Sequence, residues 1–284
     1  MTKIPKVIHY CWFGGKELPE LAQRCILSWK KYCPEYKIIE WNESNFDLNI
    51  CQYVREAYNE KKWAFVSDYV RFWVLYNYGG IYVDTDVEFI KPIDTILENG
   101  AYMGCERVIP QMSELNGSSN FKFMINPGLG LAAPANHFFV KEVLESFHSR
   151  SFYKESGEID LTTIVDTTTF ALKKYGYVDS NVIQNVAGFT IYPQSYFCPQ
   201  DYITGDLIIT DDTYSIHHYT ASWKSDKEKK QFKVLQMFQK KLGIKLGYKF
   251  WRIYLLPSRI AHKIHILGYK GTLMFIMKKI RRKV

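Results

Sequence analysis

The stretch from residue 63 to residue 90, WAFVSDYVRFWVLYNYGGIYVDTDVEFI, constrains the fold of this chain more than any other. Its first part, Trp63 to Tyr78, contains neither Pro nor Gly and carries apolar side chains at three- and four-residue spacing, which predicts a helix. Two glycines then end the helix. Ile81 to Val83 is typical of a short buried strand and leads directly into an Asp-Thr-Asp triplet. The stretch therefore predicts an α/β fold.

Asp84 and Asp86 stand two residues apart in this stretch. In an extended segment such side chains point the same way, so both carboxylates would meet at one point. Carboxylates at the end of a strand, where ligands of α/β sheets bind, suit Mg²⁺ or Mn²⁺ if phosphates and water supply the other ligands. Without an ion, the two charges would repel each other. On the upstream helix, Asp68 and Arg71 share a face, so they either pair or meet a polar ligand.

Two further strings place polar or aromatic side chains at strand ends. Val7 to Tyr10 predicts a strand that runs into Trp12 and a Phe-Gly-Gly turn, where the backbone can approach a ligand closely. Residues 214–216 predict another strand, which leads into HHYTASW at 217–223. Adjacent imidazoles at a strand end point to opposite sides, so only one of the two can join the carboxylates.

These motifs resemble those of a known enzyme family. S-D-Y-V-R followed by L-Y-N-Y-G-G-I-Y-V-D-T-D resembles the sugar-binding DXD signature of glycosyltransferase family 32, which is related to initiating mannosyltransferases and large glucosylating toxins. I-H-Y-C-W-F-G-G resembles the opening motif of that family, and H-Y-T-A-S-W resembles its closing motif. The resemblance implies a GT-A-like, Rossmann-type nucleotide-sugar-binding domain with a mixed central sheet.

The resemblance also implies a metal site and a set of donor contacts. Asp86 and His218 would hold Mn²⁺ or Mg²⁺ against the diphosphate, and Asp84 would share the ion or the ribose. Asp68 and Arg71 would orient the sugar hydroxyls and would act in catalysis with the two aspartates. Further residues match positions that contact the base, the diphosphate, or the donor sugar and acceptor: Trp12 and Asn42 for the base, Ser222 and Trp223 for the diphosphate, and Asn126 for the sugar or acceptor.

The implied activity is transfer of a sugar from a nucleotide sugar, most often a UDP-sugar, with retention of the anomeric configuration. The acceptor would be a glycan or a lipid-linked saccharide, as in bacterial capsular or surface polysaccharide synthesis. Residues 106–121 are polar and predict a loop that covers the site or binds the acceptor. No residue stands out as a covalent nucleophile, so front-face and double-displacement routes both stay open.

Two other function classes explain part of the sequence. A haloacid-dehalogenase-type phosphatase uses a strand ending D-x-D-x-[T/V] and a later acidic pair, which the triplet and Asp211-Asp212 mimic, but Glu88 stands where Thr or Val belongs. The other class is a non-enzymatic membrane-surface adaptor whose acidic site only binds a metal.

Charge divides the chain into two parts. Residues 224–284 hold 18 of the 37 Lys and Arg and 2 of the 29 Asp and Glu, which leaves 19 basic and 27 acidic residues in 1–223. We predict a catalytic domain over 1–225 and a basic, amphipathic helical extension over 226–284. Such an extension favours an anionic membrane surface as its partner. A tail packed on the body and a nucleic-acid-binding tail are the alternatives, and we expect no nucleic acid.

The compartment follows from the cysteines and from the absence of long apolar runs. The six cysteines form no C-x-x-C pair, which favours free thiols in a reducing compartment. The first residues lack the apolar run of a signal peptide, and 18 uncharged apolar residues never occur in succession. We expect a cytoplasmic protein, peripheral on the inner face of the cell membrane.

Overall fold

The computed structural model describes residues 3–108, 122–201, 203–220 and 225–281. The chain forms two compact units. The first comprises Met1–Tyr202 and Asp206–Trp223, and the second comprises Ile203–Gly205 and Lys224–Val284.

The first unit alternates strands and helices along most of its length. Its strands are β1 (Val7–Cys11), β2 (Lys37–Trp41), β3 (Gly80–Tyr82), β4 (Val87–Phe89), β5 (Tyr102–Val108), β6 (Lys122–Ala133), β7 (Gln184–Val186), β8 (Phe189–Tyr192) and β9 (Ser215–His217). Its helices are α1 (Glu20–Tyr32), α2 (Gln52–Asn59), α3 (Trp63–Tyr78), α4 (Asp94–Leu97), α5 (Phe138–His148), α6 (Ile164–Lys173) and α7 (Gln194–Phe197).

Seven of these strands form one mixed sheet in the order β2-β1-β3-β6-β5-β8-β7. β1 runs parallel to β2 and β3, and β5 runs parallel to β8, whereas β6 is antiparallel to both β3 and β5. β4 and β9 form a separate antiparallel pair. The predicted α/β class with a mixed central sheet is confirmed.

Helix α3 is the central helix of the first unit. It has the predicted bounds, and its buried side chains lie almost all round it, as expected of a helix with no wide polar face. Gly79 and Gly80 connect it to β3 with φ of 66° and 112°. A Cβ on Gly79 would lie 2.7 Å from Ala135 N, and one on Gly80 would lie 2.7 Å from Val7 O. Only glycine fits both the conformation and the space at this junction.

Three strands were not predicted: β6, β7 and β8. The segment around Ile191 suggested irregular structure because Pro193 follows it, but β8 ends just before that proline and pairs with β5. β6 extends through Pro127, which suggested a break. Its register with β5 shifts at this point, since Leu131 pairs with Met103 but Asn126 pairs with Gly104. A proline is tolerated at such a bulge because its missing N–H takes no ladder bond.

The second unit is helical over its described residues, with α8 (Asp226–Leu242), α9 (Ile244–Tyr254) and α10 (Leu256–Arg281), the last interrupted at Gly268. Ser225 and Glu228 form a capping box at the start of α8. A Cβ on Gly247 would lie 2.6 Å from Gln239 N, so α8 and α9 pack closely there. Within the described part of the chain, every helix is too short or too polar to cross a bilayer.

All six cysteines are free thiols, as predicted, and five of them are buried. Burial raises the pKa of the Cys33 thiol to about 11 and that of Cys25 to about 12. The thiols of Cys25 and Cys33 therefore behave as small apolar side chains of the core.

Candidate active site

The Asp-Thr-Asp triplet lies in the connection between β3 and β4. It is a turn, not an extended segment, because Val87 N–H donates to Asp84 O at 3.1 Å. The two carboxylates nevertheless converge. Ligand atoms of Asp84, Asp86 and His217 all lie within 4.8 Å of one another. The expected meeting of two carboxylates holds, but a turn brings them together, not the alternation of a strand.

The imidazole at this turn belongs to His217. β9 pairs with β4 so that His217 lies opposite Val87, and its Nε2 is 3.2 Å from Asp86 Oδ1. His218 Nε2 lies 2.8 Å from Glu88 Oε2 instead. The two imidazoles do point to different partners, but the placement of His218 beside the carboxylates is corrected. The predicted strand stopped at residue 216, whereas β9 continues through His217, which fixes the direction of that side chain.

Each carboxylate of the turn has its own positive or hydrogen-bonding partners. Arg71 lies 3.3 Å from Asp84 Oδ1, which also accepts a hydrogen bond from Tyr82 O–H at 3.0 Å. Thr220 donates to Asp86 from its backbone N–H at 2.9 Å and from its hydroxyl at 2.8 Å. The expected repulsion between the two charges is therefore offset by two separate sets of contacts.

Asp68 and Arg71 pair with each other on α3. Their side chains are 10% and 4% exposed, and the distance from Arg71 Nη2 to Asp68 Oδ1 is 2.9 Å. Arg71 thus lies between Asp68 and Asp84, with its guanidinium 4.8 Å from the Tyr82 ring centroid. Burial raises the pKa of Asp68 to about 6, although Arg71 opposes that shift. Asp68 therefore contacts Arg71, and Arg71 in turn contacts Asp84 of the turn.

The side chains of Asp86 and His217 are 13% and 9% exposed. Burial disfavours both charges, but His217 and Thr220 outweigh it and hold the pKa of Asp86 below its usual range. Burial likewise opposes protonation of His217, but Asp86 raises the pKa of this imidazole well above its usual value. Near neutral pH the metal-free turn therefore contains an imidazolium beside a carboxylate.

Trp12 and Asn42 follow neighbouring parallel strands. Trp12 is partly buried just after β1, and its Nε1–H donates to Lys16 O at 2.5 Å. Asn42 follows β2, but its amide is used within its own turn. It donates to Glu40 at 2.7 Å and accepts from Ser44 at 2.6 and 2.9 Å. The indole N–H of Trp12 is therefore used in a hydrogen bond to its own loop. The side-chain amide of Asn42 is used in hydrogen bonds that hold its own turn together.

Asn126 belongs to a buried polar network that the sequence did not reveal. Its Oδ1 accepts from Gly128 N–H at 2.8 Å and its Nδ2 donates to Glu106 at 3.0 Å. Tyr219 O–H also donates to Glu106, at 3.0 Å, and lies 2.6 Å from the Cys198 thiol. Burial raises the pKa of Glu106. The resemblance to the family placed Asn126 and Tyr219 near the site, but no pattern in the sequence joined them to Glu106 and Cys198.

Some predicted residues lie outside the described part of the chain. These are Ser222 and Trp223, and residues 109–121 of the predicted acceptor loop. Asp211 and Asp212, which a dehalogenase-type phosphatase would need beside the turn, are exposed and belong to no metal-ligand cluster among the described residues.

The turn fits a divalent cation. Two carboxylates and one imidazole converge there, and Asp84 is the most exposed of the three, with 30% of its side chain open to solvent. The nitrogen ligand makes Mn²⁺ a better match than Mg²⁺, which is bound almost only by oxygen. Partial exposure on one side leaves room for phosphate or water ligands.

Comparison with known proteins agrees with this arrangement. Residues 19–102 match the family described as a glycosyltransferase sugar-binding region containing a DXD motif. Inositol phosphoceramide mannosyltransferase 1 of Schizosaccharomyces pombe is 28% identical over 167 residues, which cover 54% of this chain and 47% of that protein. A mannosyl phosphorylinositol ceramide synthase of Saccharomyces cerevisiae is 25% identical over 206 residues, which cover 68% of this chain and 48% of that protein.

Among solved structures, the PaToxG glycosyltransferase superposes with a TM-score of 0.43 at 20% identity, over 61% of this chain and 70% of that one. The chain spans about half the length of the two curated relatives. The family match includes α3, the glycine junction and the Asp-Thr-Asp turn. Residues 19–102 of this chain are therefore similar to the glycosyltransferase sugar-binding region that contains a DXD motif.

Proposed function

We propose that this protein transfers a sugar from a nucleotide sugar to a glycan or lipid-linked acceptor, with retention of configuration and with the help of a divalent cation. The observation that carries the proposal is the convergence of Asp84, Asp86 and His217 at the end of β3, where the two aspartates belong to the matched sugar-binding region. The structure and the matched family support a transferase, and they argue against the phosphatase considered above.

We assign the cation to Asp84, Asp86 and His217, with Mn²⁺ favoured over Mg²⁺. A cation bound there would neutralise the charge that develops on the leaving diphosphate. The residues of the chain prepare this site. Arg71 and Tyr82 orient Asp84, and Thr220 orients Asp86, so neither carboxylate needs to reorganise when the donor binds.

The donor contacts extend the same arrangement. Asp68 and Arg71 lie buried behind Asp84, where a cationic guanidinium can hold sugar hydroxyls and balance the carboxylates. Trp12, at the end of the adjacent strand β1, is the proposed platform for the nucleotide base. We favour a UDP-sugar. The names of the relatives make mannose a second candidate sugar, since both are described by mannosyl transfer to inositol-containing ceramides.

The helical second unit supports an acceptor at a membrane surface. From residue 229 to residue 284 the chain contains no Asp or Glu, and its exposed apolar residues include Leu246, Phe250, Ile253 and Leu256. Lys249, Arg252 and Arg259 are exposed among them. Apolar side chains interleaved with cations suit the interface of an anionic bilayer. We therefore propose a lipid-borne acceptor that reaches the site along the membrane.

The cellular setting stays a prediction. We place the protein at the inner face of the cell membrane, because that leaflet carries the anionic lipids that a basic segment binds. Synthesis of bacterial surface polysaccharide and glycosylation of a membrane lipid are both consistent with such an acceptor. The identity of the donor sugar decides between them better than any residue of the chain.

A panel of UDP- and GDP-sugars tests the proposal without an acceptor. We expect one donor to raise the unfolding temperature in the presence of Mn²⁺ and to be hydrolysed slowly, and both effects to disappear with a chelator. The Asp86→Asn variant keeps the shape of the side chain but loses its charge, so hydrolysis should fall by at least about a hundredfold while the fold is retained.

Lys30→Gln is a matched control, since Lys30 is exposed on α1 and should leave hydrolysis unchanged. The metal-dependent transferase is refuted if donors bind but none of them is hydrolysed. It is also refuted if hydrolysis continues with the chelator and in the Asp86→Asn variant.

A further inference from the structure

We propose a second metal site directly behind the first, in which Glu106, Cys198 and His217 bind a thiophilic divalent cation such as Zn²⁺. Ligand atoms of these three side chains lie within 4.8 Å of one another, and all three residues are buried. The site shares His217 with the proposed Mn²⁺ site but uses a different donor set. A thiolate, an imidazole and a carboxylate together select zinc-like cations, whereas the two aspartates of the turn favour harder ones.

An unsatisfied atom gives independent support. Nε2 of His217 faces Asp86, which leaves Nδ1 for the opposite side of the ring. Nδ1 is buried and has no hydrogen-bond partner of acceptable geometry, although the Cys198 thiol lies beside the ring. A buried polar atom without a partner is uncommon, and at this place it points to a ligand that would complete it.

The surrounding residues already hold the ligands together. Tyr219 O–H lies 2.6 Å from Cys198 Sγ and 3.0 Å from Glu106 Oε2, and the Asn126 amide fixes the same carboxylate oxygen. Tyr219 has a φ of 48°, an unfavourable conformation for a non-glycine residue. The backbone thus accepts strain at the residue that links two of the three ligands.

The shared imidazole makes the two sites compete. A neutral imidazole has one nitrogen with a free lone pair, and the other carries the proton. If Zn²⁺ takes Nδ1, the proton stays on Nε2 and faces Asp86, so His217 is lost to the Mn²⁺ site. The reverse holds when Mn²⁺ takes Nε2. Binding at the second site releases the Nδ1 proton of the imidazolium and the thiol proton of Cys198 to solvent, and it forms metal–nitrogen and metal–thiolate bonds. A thiophilic cation would therefore lower the affinity of the transferase site for its own metal.

Cobalt(II) is the probe, because it replaces zinc and gives an absorption band from charge transfer only where a thiolate binds it. The full-length protein, free of other metals and kept reduced, should show this band on titration with one equivalent of Co²⁺. Cys198→Ser should abolish it, while Cys33→Ser, which changes a buried thiol outside both ligand sets, should retain it. Glu106→Gln keeps an acceptor for Tyr219 and should weaken Co²⁺ binding without loss of the band at saturation.

Competition is measured in the same spectrum. Adding Mn²⁺ should weaken the apparent affinity for Co²⁺ by about tenfold or more, and Asp84→Asn should remove this dependence. A spectrum without the band at saturating Co²⁺, or a band that survives Cys198→Ser, overturns the second site. Co²⁺ affinity that ignores Mn²⁺ overturns the sharing of His217. Neither result depends on donor hydrolysis, so the proposed transferase activity stands or falls separately.

Discussion

At the scale of single residues, the two carboxylates of the turn differ in how they are held. Asp84 is contacted by a guanidinium and a phenol from α3 and β3, whereas Asp86 is contacted by an imidazole and a threonine that come from the far end of the first unit. Loss of one carboxylate would therefore leave a buried partner without its countercharge. A substitution that keeps hydrogen-bonding capacity is the better probe of function than one that removes it.

The imidazolium of His217 predicts how metal affinity depends on pH. Because a cation binds Nε2 only after its proton leaves, Mn²⁺ affinity should increase with pH by about tenfold per unit until the metal-free imidazole is deprotonated. The raised pKa also means that the stability His217 contributes without metal is complete below 6.5 and is lost as pH rises through the folded-state value.

Calorimetric titration with Mn²⁺ at several pH values measures this effect. His217→Gln should bind more weakly and lose the pH dependence, whereas His218→Gln should keep it, since His218 contacts Glu88. The same pH dependence in His217→Gln would exclude this imidazole as the group that releases the proton.

Trp12 supplies a second residue-scale prediction. Trp12→Ala should weaken binding of free UDP by about 1–3 kcal/mol, the range for a base stacked on an aromatic ring. Trp12→Phe keeps a stacking surface but loses the N–H bond to Lys16 O, so it separates base stacking from support of the loop. Unchanged UDP affinity in a folded Trp12→Ala protein would return this ring to a purely structural role.

Sequence patterns predicted that the two carboxylates meet, but they predicted neither the turn that brings them together nor all of its partners. Asp84, Asp86, Asp68 and Arg71 were predicted because a motif and a helical spacing place them near each other, and the structure brings all four together. The choice between two adjacent histidines depended on where a three-residue strand ends, which short patterns do not fix. The Glu106 network joins residues far apart in the chain, and such contacts leave no local signature.

At the scale of elements, helix α3 was predicted to the residue because its period, its lack of Pro and Gly, and the paired glycines agree. β6 was missed because Pro127 and a run of small residues suggest a loop. Around its bulge, β6 pairs with β5 on both sides, and the backbone of Gly128 accepts a hydrogen bond from Asp84 N–H. Only the tertiary structure reveals these contacts.

Gly128 in that bulge gives an element-scale prediction. A Cβ at this position would lie 2.0 Å from Asp84 Oδ2. Since a carboxylate can rotate away at little cost, Gly128→Ala should fold normally but displace Asp84. We expect unfolding temperatures near wild type without metal and a loss of most of the stabilisation by Mn²⁺. Full stabilisation by Mn²⁺ in this variant would show that Asp84 is not needed in its present position.

At the scale of the whole molecule, the charge division of the sequence corresponds to a difference in structure. The acidic part forms the mixed sheet and its helices, and the basic part is helical over its described residues. Composition could predict the difference in net charge between the two parts, because net charge is a sum over residues. It could not predict how the helices of the second unit pack, which depends on single positions such as Gly247.

Membrane binding is tested by removing charge without shortening the chain. The triple variant Lys249→Gln, Arg252→Gln and Arg259→Gln should weaken sedimentation with anionic liposomes by about 3 kcal/mol at low salt, since each surface-bound cation contributes about 1 kcal/mol. The control changes three exposed lysines of the first unit, Lys30, Lys31 and Lys173, to Gln. Equal loss in both variants would mean that net charge, and not the helical unit, drives the association.

The position of the turn between two sheets has a consequence for how the candidate site becomes ordered. Asp84 follows a strand of the large sheet, whereas Asp86 precedes β4 of the small one, which has two strands of three residues each. So short a ribbon is weakly stable by itself. A cation held by both aspartates would link the two sheets. Amide hydrogen exchange at 87–89 and 215–217 should therefore slow when Mn²⁺ binds. In that sense the metal would be part of the fold as much as part of the chemistry.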